Sequence, residues 1–237
     1  MVDPLRPAKR WLRRWSAAND ARRWRRINLG AHTVIDPSAQ VLGWRNVRIG
    51  ERCVISEATW INVNDRENTD FAILIGNHCF IGRRNFLSSG KRIRIGDYCL
   101  TGVDCHFLGA DHLHLTPYAP YSTTGTTFDG VIDIGPNCWL GASVTVLKNV
   151  RIGFGSIIGA GAVVTHSVPP YSIAVGNPAR VLKRFDATRN EWVPTDAWSA
   201  EAEAQIPAEA DYLAHLVKNH PTLKLPRLAS GHLHGDL

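Results

Sequence analysis

Two histidines, His112 and His114, lie two residues apart in a polar run, residues 109–130, that reads GADHLHLTPYAPYSTTGTTFDG. An imidazole titrates near neutrality, at about 6.5 when unperturbed, so it can take a proton and return it within one reaction cycle. A histidine on a loop is also commonly just solvated, and its setting has to decide. Two more, His78 and His106, read as surface residues or substrate contacts. The five cysteines, Cys53, Cys79, Cys99, Cys105 and Cys138, contain no CxxC pair and no zinc-ligand spacing. No metal site is expected from them.

The rest of the chain supplies the frame. Ile134, Leu140, Val146, Ile152, Ile158 and Val164 recur every six residues. The same phase appears upstream in Ile49, Ile55 and Ile61, in Ile75, Ile81 and Leu87, and in Ile95, Thr101 and Phe107. Val175-Gly176 reads as a late copy after Pro169-Pro170. Ten of the twenty glycines directly follow a repeat residue. This is neither a helix period nor plain strand alternation. It implies short strands joined by sharp turns, three to a triangular rung, with rungs stacked about 4.8 Å apart. The aliphatic points inward, and glycine is expected to ease the backbone into each corner. Every cysteine falls four places after a repeat residue, which predicts small inward corner residues. An odd count of unpaired cysteines suits a reducing cytoplasm.

Length allows one elongated domain with appendages, over residues 31–185. Residues 1–30 carry nine Lys or Arg against Asp3 and Asp20, with Trp11, Leu12, Trp15 and Trp24 among them. They read as a basic helix. It either caps the open end of the coil or touches a membrane surface peripherally, and nucleic acid is not expected as a partner. Residues 186–237 hold eight acids against four bases, with a helix expected over 208–219 and fraying over 229–237. The opposite charges make contact between the two ends plausible. No run approaches the ~20 apolar residues of a membrane span.

A regular coil offers little chemistry, so function is expected where its rhythm breaks. Residues 62–71 form one break and residues 109–130 the longer one. The residues around the second break resemble the hexapeptide-repeat acyltransferases, in their galactoside, maltose, streptogramin and exopolysaccharide O-acetyltransferase branch. The resemblance rests on GADH at 109–112, IGPNCWLGA at 134–142, IGAGAVVT at 158–165 and PYSIAVGNPARVLK at 170–183. It is dense over residues 109–183 and loose before them.

That resemblance implies an all-β solenoid, a left-handed parallel β-helix, and acetyl transfer from acetyl-CoA to a hydroxyl of a sugar or glycan precursor. It makes His112 the general base, with His114 as rival. Asp111, His114 and Asn85 would contact the acceptor. Trp139, Gly141, Ala142, Ala160, Thr165, Arg180 and Lys183 would line the coenzyme A site, with a backbone N–H near Gly141 or Ala142 facing the thioester oxygen. His166 stands where the family often has lysine, which weakens phosphate contact there. A homotrimer with sites between subunits is implied as well. Alternatives are an N-acetyltransferase acting on an amino sugar, an antibiotic acetyltransferase, a non-catalytic scaffold, and a γ-type zinc carbonic anhydrase-like enzyme. The last needs two ligand histidines five apart, whereas His106 and His112 are six apart.

Overall fold

The computed structural model describes residues 19–114 and 116–225. The chain winds as a left-handed parallel β-helix of triangular section. Sheet I runs through Val34–Ile35, Val54–Ile55, Phe80–Ile81, Leu100–Thr101, Trp139–Leu140, Ile157–Ile158 and Ser172–Val175. Sheet II runs through Gln40–Leu42, Trp60–Val63, Phe86–Ser89, His106–Leu108, Thr145–Leu147 and Val163–Val164. Sheet III holds Val47–Ile49, Ile73–Ile75, Arg92–Ile95, Val131–Ile134 and Val150–Ile152. The chain passes from III to I to II and back to III once per coil.

The six-residue period is the inward column of this prism. All fifteen residues of the four repeat runs are between 0 and 3% exposed. Each large aliphatic removed from water contributes roughly 1.5–3 kcal/mol, so the column dominates the stability. Thr101 is tolerated in it because its hydroxyl accepts the Gly82 N–H at 2.9 Å.

Two expectations need correction. Apart from Gly176, the glycines after repeat residues are not in left-handed backbone; that conformation falls two places later, at Arg52, His78, Tyr98 and Asn137 on one edge and at Ala58, Arg84, Asp104 and Ser143 on the next. Glycine is required because the next coil passes too close. A Cβ on Gly82 would lie 2.2 Å from the Gly102 carbonyl oxygen. The late copy is also shifted by one residue. Ile158 pairs with Ala174, which is fully buried, while Val175 is only half-buried.

The cysteines do sit in corners, all 0 or 1% exposed. Along the III–I edge each thiol donates to a glycine carbonyl of the next coil: Cys53 to Gly76 at 3.0 Å, Cys79 to Gly96 at 3.1 Å, Cys99 to Gly135 and Cys138 to Gly153 at 3.2 Å. Thr33 and Ser156 extend the ladder at its two ends. Burial pushes the Cys79 and Cys138 thiols well up, which keeps the donors protonated.

Beyond the coil, Arg180–Asp186 turns back antiparallel on Ser172–Val175 and pairs with Glu191–Pro194. Sheet I therefore continues past residue 185. The expected C-terminal helix spans Glu209–Asn219. It lies against sheet III through Glu209, which bonds Arg94 at 3.1 Å and Arg151 at 2.9 Å, while Tyr212 stacks on Phe154 with ring centroids 4.7 Å apart. Among the described residues, the acidic extension thus pairs with cations of the coil. Residues 19–28 are helical; the expectations for Trp11, Leu12, Trp15 and the frayed residues 229–237 lie outside the described residues.

Candidate functional site

Both breaks in the period leave from the same edge, between sheets II and III. Residues 64–72 follow Trp60–Val63, and residues 109–130 follow His106–Leu108 two coils later. Between them, one coil turns the edge tightly through Gly90. The long insertion starts and returns at a contact of three glycines. A Cβ on Gly90 would meet the Gly109 carbonyl oxygen at 2.1 Å, and one on Gly130 would meet the same atom at 2.2 Å. No larger residue lets both strands of the loop pass this point.

Outside that gate the loop is a short ribbon. Asp111–His112 pairs antiparallel with Thr126–Thr127, and Leu113 N–H donates to Gly125 at 3.0 Å. His112 is exposed. Its N–H donates to Asp111 Oδ1 at 2.9 Å, and the His114 ring nitrogen Nδ1 lies 3.2 Å from the His112 carbonyl oxygen. Lys148, from the next coil, reaches Asp111 Oδ2 at 3.5 Å. Asp111 is therefore a tether between the ribbon and the coil. Lys148 was not anticipated, yet the register was legible: Leu108 pairs with Leu147, so the next residue must face the loop base.

The residues expected to hold the donor lie elsewhere on the prism. Trp139 projects from the outer face of sheet I and is 50% exposed. Trp139 pairs with Ile157, Ile157 with Ile173, and Ile173 with Lys183, so tryptophan and lysine share one face about 14 Å apart. Arg180 lines a 330 Å³ groove at the late end of the coil with His166, Ser167 and Ala179. Arg180 and Lys183 are exposed and have no acidic partner among the described residues. Thr165 sits at the same end, its hydroxyl 2.8 Å from His166 Nδ1. Gly141 N–H is already bonded to the Ile158 carbonyl at 2.8 Å, so it is no free donor. The Ala142 N–H has no acceptor among the described residues, and Ala160 is the exposed residue stacked over it in the next coil.

A second groove, of 350 Å³, runs along sheet I beside Trp139. Its walls include His78, Phe80, Tyr98 and Leu100, and it is closed by Leu223 and Leu225 of the C-terminal extension. His78 stacks on Tyr98 at 4.8 Å, and burial, helped by Arg52, lowers its pKa. Nothing in the sequence pairs these distant segments.

Asn85 has a structural role that was not expected of it. It is 1% exposed, and its amide donates to the Gly82 and Gly102 carbonyls, both at 2.8 Å. It stands four places after Ile81, the position cysteine fills elsewhere, and clamps the I–II edge as Cys105 does one coil on. Its Oδ1 has no hydrogen-bond partner among the described residues.

A triangular prism puts the II–III edge opposite the face of sheet I. The His112 ribbon and the Trp139–Lys183 face of one chain therefore point in opposite directions.

The family model for bacterial transferase hexapeptide (six repeats) matches residues 132–166. A protein of Mycobacterium tuberculosis, named "Probable acetyltransferase", is 31% identical over 150 residues, 62% of this chain and 49% of its own length. A Staphylococcus aureus relative, likewise named for acetyl transfer, is 38% identical over 139 residues, 56% of this chain and 65% of its own length. The chain thus spans about half to two thirds of these curated relatives. The crystal structure of a hexapeptide-repeat-containing acetyltransferase from Vibrio cholerae, complexed with acetyl coenzyme A, is 25% identical. It aligns with a TM-score of 0.50 over 71% of this chain and 77% of its own. By its repeats, its relatives and its coil, the chain is similar to the hexapeptide-repeat acyltransferases.

Proposed function

We propose that the protein moves an acetyl group from acetyl-CoA to a hydroxyl of a sugar or glycan precursor, in sites shared between subunits of a homotrimer. The observation that carries this is the placement of an exposed histidine on the one long insertion of a hexapeptide coil, turned away from its own chain's Trp139–Lys183 face. His112 accepts the hydroxyl proton as the acceptor oxygen attacks the thioester carbonyl. The C–S bond then breaks, and the imidazolium returns the proton to the leaving thiolate. Ala142 N–H is the donor for the oxygen that gains charge between these steps.

Trp139, Ala142 and Ala160 of the neighbouring chain guide the pantetheine arm. Arg180 and Lys183 meet the nucleotide phosphates, and Thr165 and His166 border them. The arrangement suits a long donor with an anionic end, because the two unpaired cations lie at the late end of the coil. Asp111 and Lys148 hold the ribbon in place, and His114 borders the acceptor.

The test is release of free thiol from acetyl-CoA across sugars, nucleotide-sugars, lipid-linked sugars and their amino counterparts. Release with acceptors that carry hydroxyls but no amine is expected. Release only with amino sugars moves the reaction to nitrogen. No release with any acceptor leaves the scaffold reading.

A further inference from the structure

The described part of the N-terminal helix does two separate things. Its last residues close the open end of the coil: Asn28 Nδ2 donates to the Trp44 carbonyl at 2.9 Å, Leu29 bridges to Ile49, and Gly30 N–H donates to Ile49 at 2.8 Å. The turns before them are not used in this way. Arg22, Arg23, Arg25 and Arg26 are all exposed, and none has an acidic partner among the described residues. Ile27 beside them is 59% exposed, and the Arg23 guanidinium lies 5.7 Å from the Trp24 ring centroid. Capping explains Asn28 and Leu29 but leaves four cations and an isoleucine in water.

The sequence before residue 19 continues the same chemistry, with Lys9, Arg10, Trp11, Arg13, Arg14 and Trp15. Residues 1–30 net +7, whereas the remaining chain nets −1. Clustered arginines with interleaved tryptophan and exposed aliphatic residues suit the boundary between anionic headgroups and acyl chains. Nucleic acid would satisfy the cations and stack on the tryptophans, but would leave the exposed Ile27 without an apolar partner. No described helix is long and apolar enough to cross a membrane, so the contact lies in the surface.

We infer that the basic N-terminal segment docks the first-coil end of the prism onto an anionic lipid bilayer. The inference is independent of the reaction proposed above, but it has a geometric consequence for it. In sheet III, Val131–Ile134, where the histidine loop re-enters, is three strands beyond Val47–Ile49, where Leu29 attaches. That sets the loop base about 14 Å from the docked end. An acceptor anchored in the same bilayer by a lipid would present its sugar at that height.

Co-sedimentation of the full chain with vesicles tests this. Binding to equimolar phosphatidylglycerol and phosphatidylcholine should exceed binding to phosphatidylcholine alone by about tenfold or more, since each basic residue near such a surface is worth roughly fivefold. Raising salt from about 0.1 to 0.5 M should release it. The Arg22→Glu/Arg23→Glu/Arg25→Glu/Arg26→Glu variant should lose most of the binding with an unchanged melting temperature. Should that variant not fold, Lys9→Glu/Arg10→Glu/Arg13→Glu/Arg14→Glu serves instead. Equal binding to both vesicle types, or undiminished binding by a folded variant, overturns the inference. Tighter binding to duplex DNA or RNA than to anionic vesicles at one salt concentration also overturns it, in favour of nucleic acid. Thiol release in solution is unaffected by any of these outcomes, so failure here leaves the catalytic reading standing.

Discussion

Two edges of the same prism are built in opposite ways. Along the III–I edge, Thr33, Cys53, Cys79, Cys99, Cys138 and Ser156 pass hydrogen bonds from coil to coil, and every turn is tight. Along the II–III edge, two coils open into insertions, residues 64–72 and 109–130. The closed edge satisfies its buried carbonyls with side-chain donors. The open edge does the reverse, placing His112, His114 and Asp111 in water. On the proposed reading, stability and chemistry belong to different edges, and a change at one should leave the other's observable alone.

The largest effect should follow from breaking the open edge. His112→Ala is expected to lower turnover by roughly 10²–10⁴-fold, with the melting temperature unchanged. Deleting residues 111–129 makes the same point by another route. It leaves five residues between Phe107 and Ile132, the number between Leu87 and Ile93, so a tight coil should close while activity disappears. A deletion variant that retains turnover would remove the loop from the mechanism. The full loss in His114→Ala alone would transfer the role to that neighbour.

A smaller effect is expected on the face opposite. Arg180→Ala and Lys183→Ala should each weaken acetyl-CoA by about 1.5–3 kcal/mol, the usual worth of a charge-assisted contact. A truncated thioester lacking the nucleotide should bind the variants and the parent alike. Equal weakening of both donors would mean that these residues support the fold instead.

The closed edges make the third and smallest prediction. Asn85→Ala removes the amide that bridges the Gly82 and Gly102 carbonyls, of which Gly82 keeps the Thr59 hydroxyl at 3.0 Å, and costs about 1 kcal/mol of stability. Denaturant unfolding should record that loss, while acceptor KM stays near the parent's. A raised KM with unchanged stability would return Asn85 to the acceptor site.

Much of this architecture was legible in the residues because a solenoid is nearly one-dimensional. The phase of Ile134, Leu140 and Val146 fixes which side chains turn inward, and the cysteine positions follow by counting four. Asn85 was legible by the same count, since Ile81 plus four is a corner, but its match to a family position pointed outward instead. The reason for the glycines was not legible, because a phase marks where glycine is needed without saying that the next coil passes 2.2 Å from its Cβ. The shift from Val175 to Ala174 escaped because Pro169-Pro170 resets the register. Contacts made by segments far apart in sequence, such as Leu223 and Leu225 beside Trp139, carry no local signal at all. The candidate residues were readable as a set, but not their division between two opposite surfaces of one chain.

That opposition is tested most directly by mixing chains. His112→Ala subunits and Arg180→Ala/Lys183→Ala subunits are each inactive or nearly so at limiting acetyl-CoA. In randomly mixed trimers whose sites take histidine from one chain and cations from the next, about a quarter of the sites join the two intact halves. The account predicts that thiol release recovers to about that fraction of the parent rate. Mixed trimers that stay as inactive as either variant alone would contradict it, as would a fully active monomer.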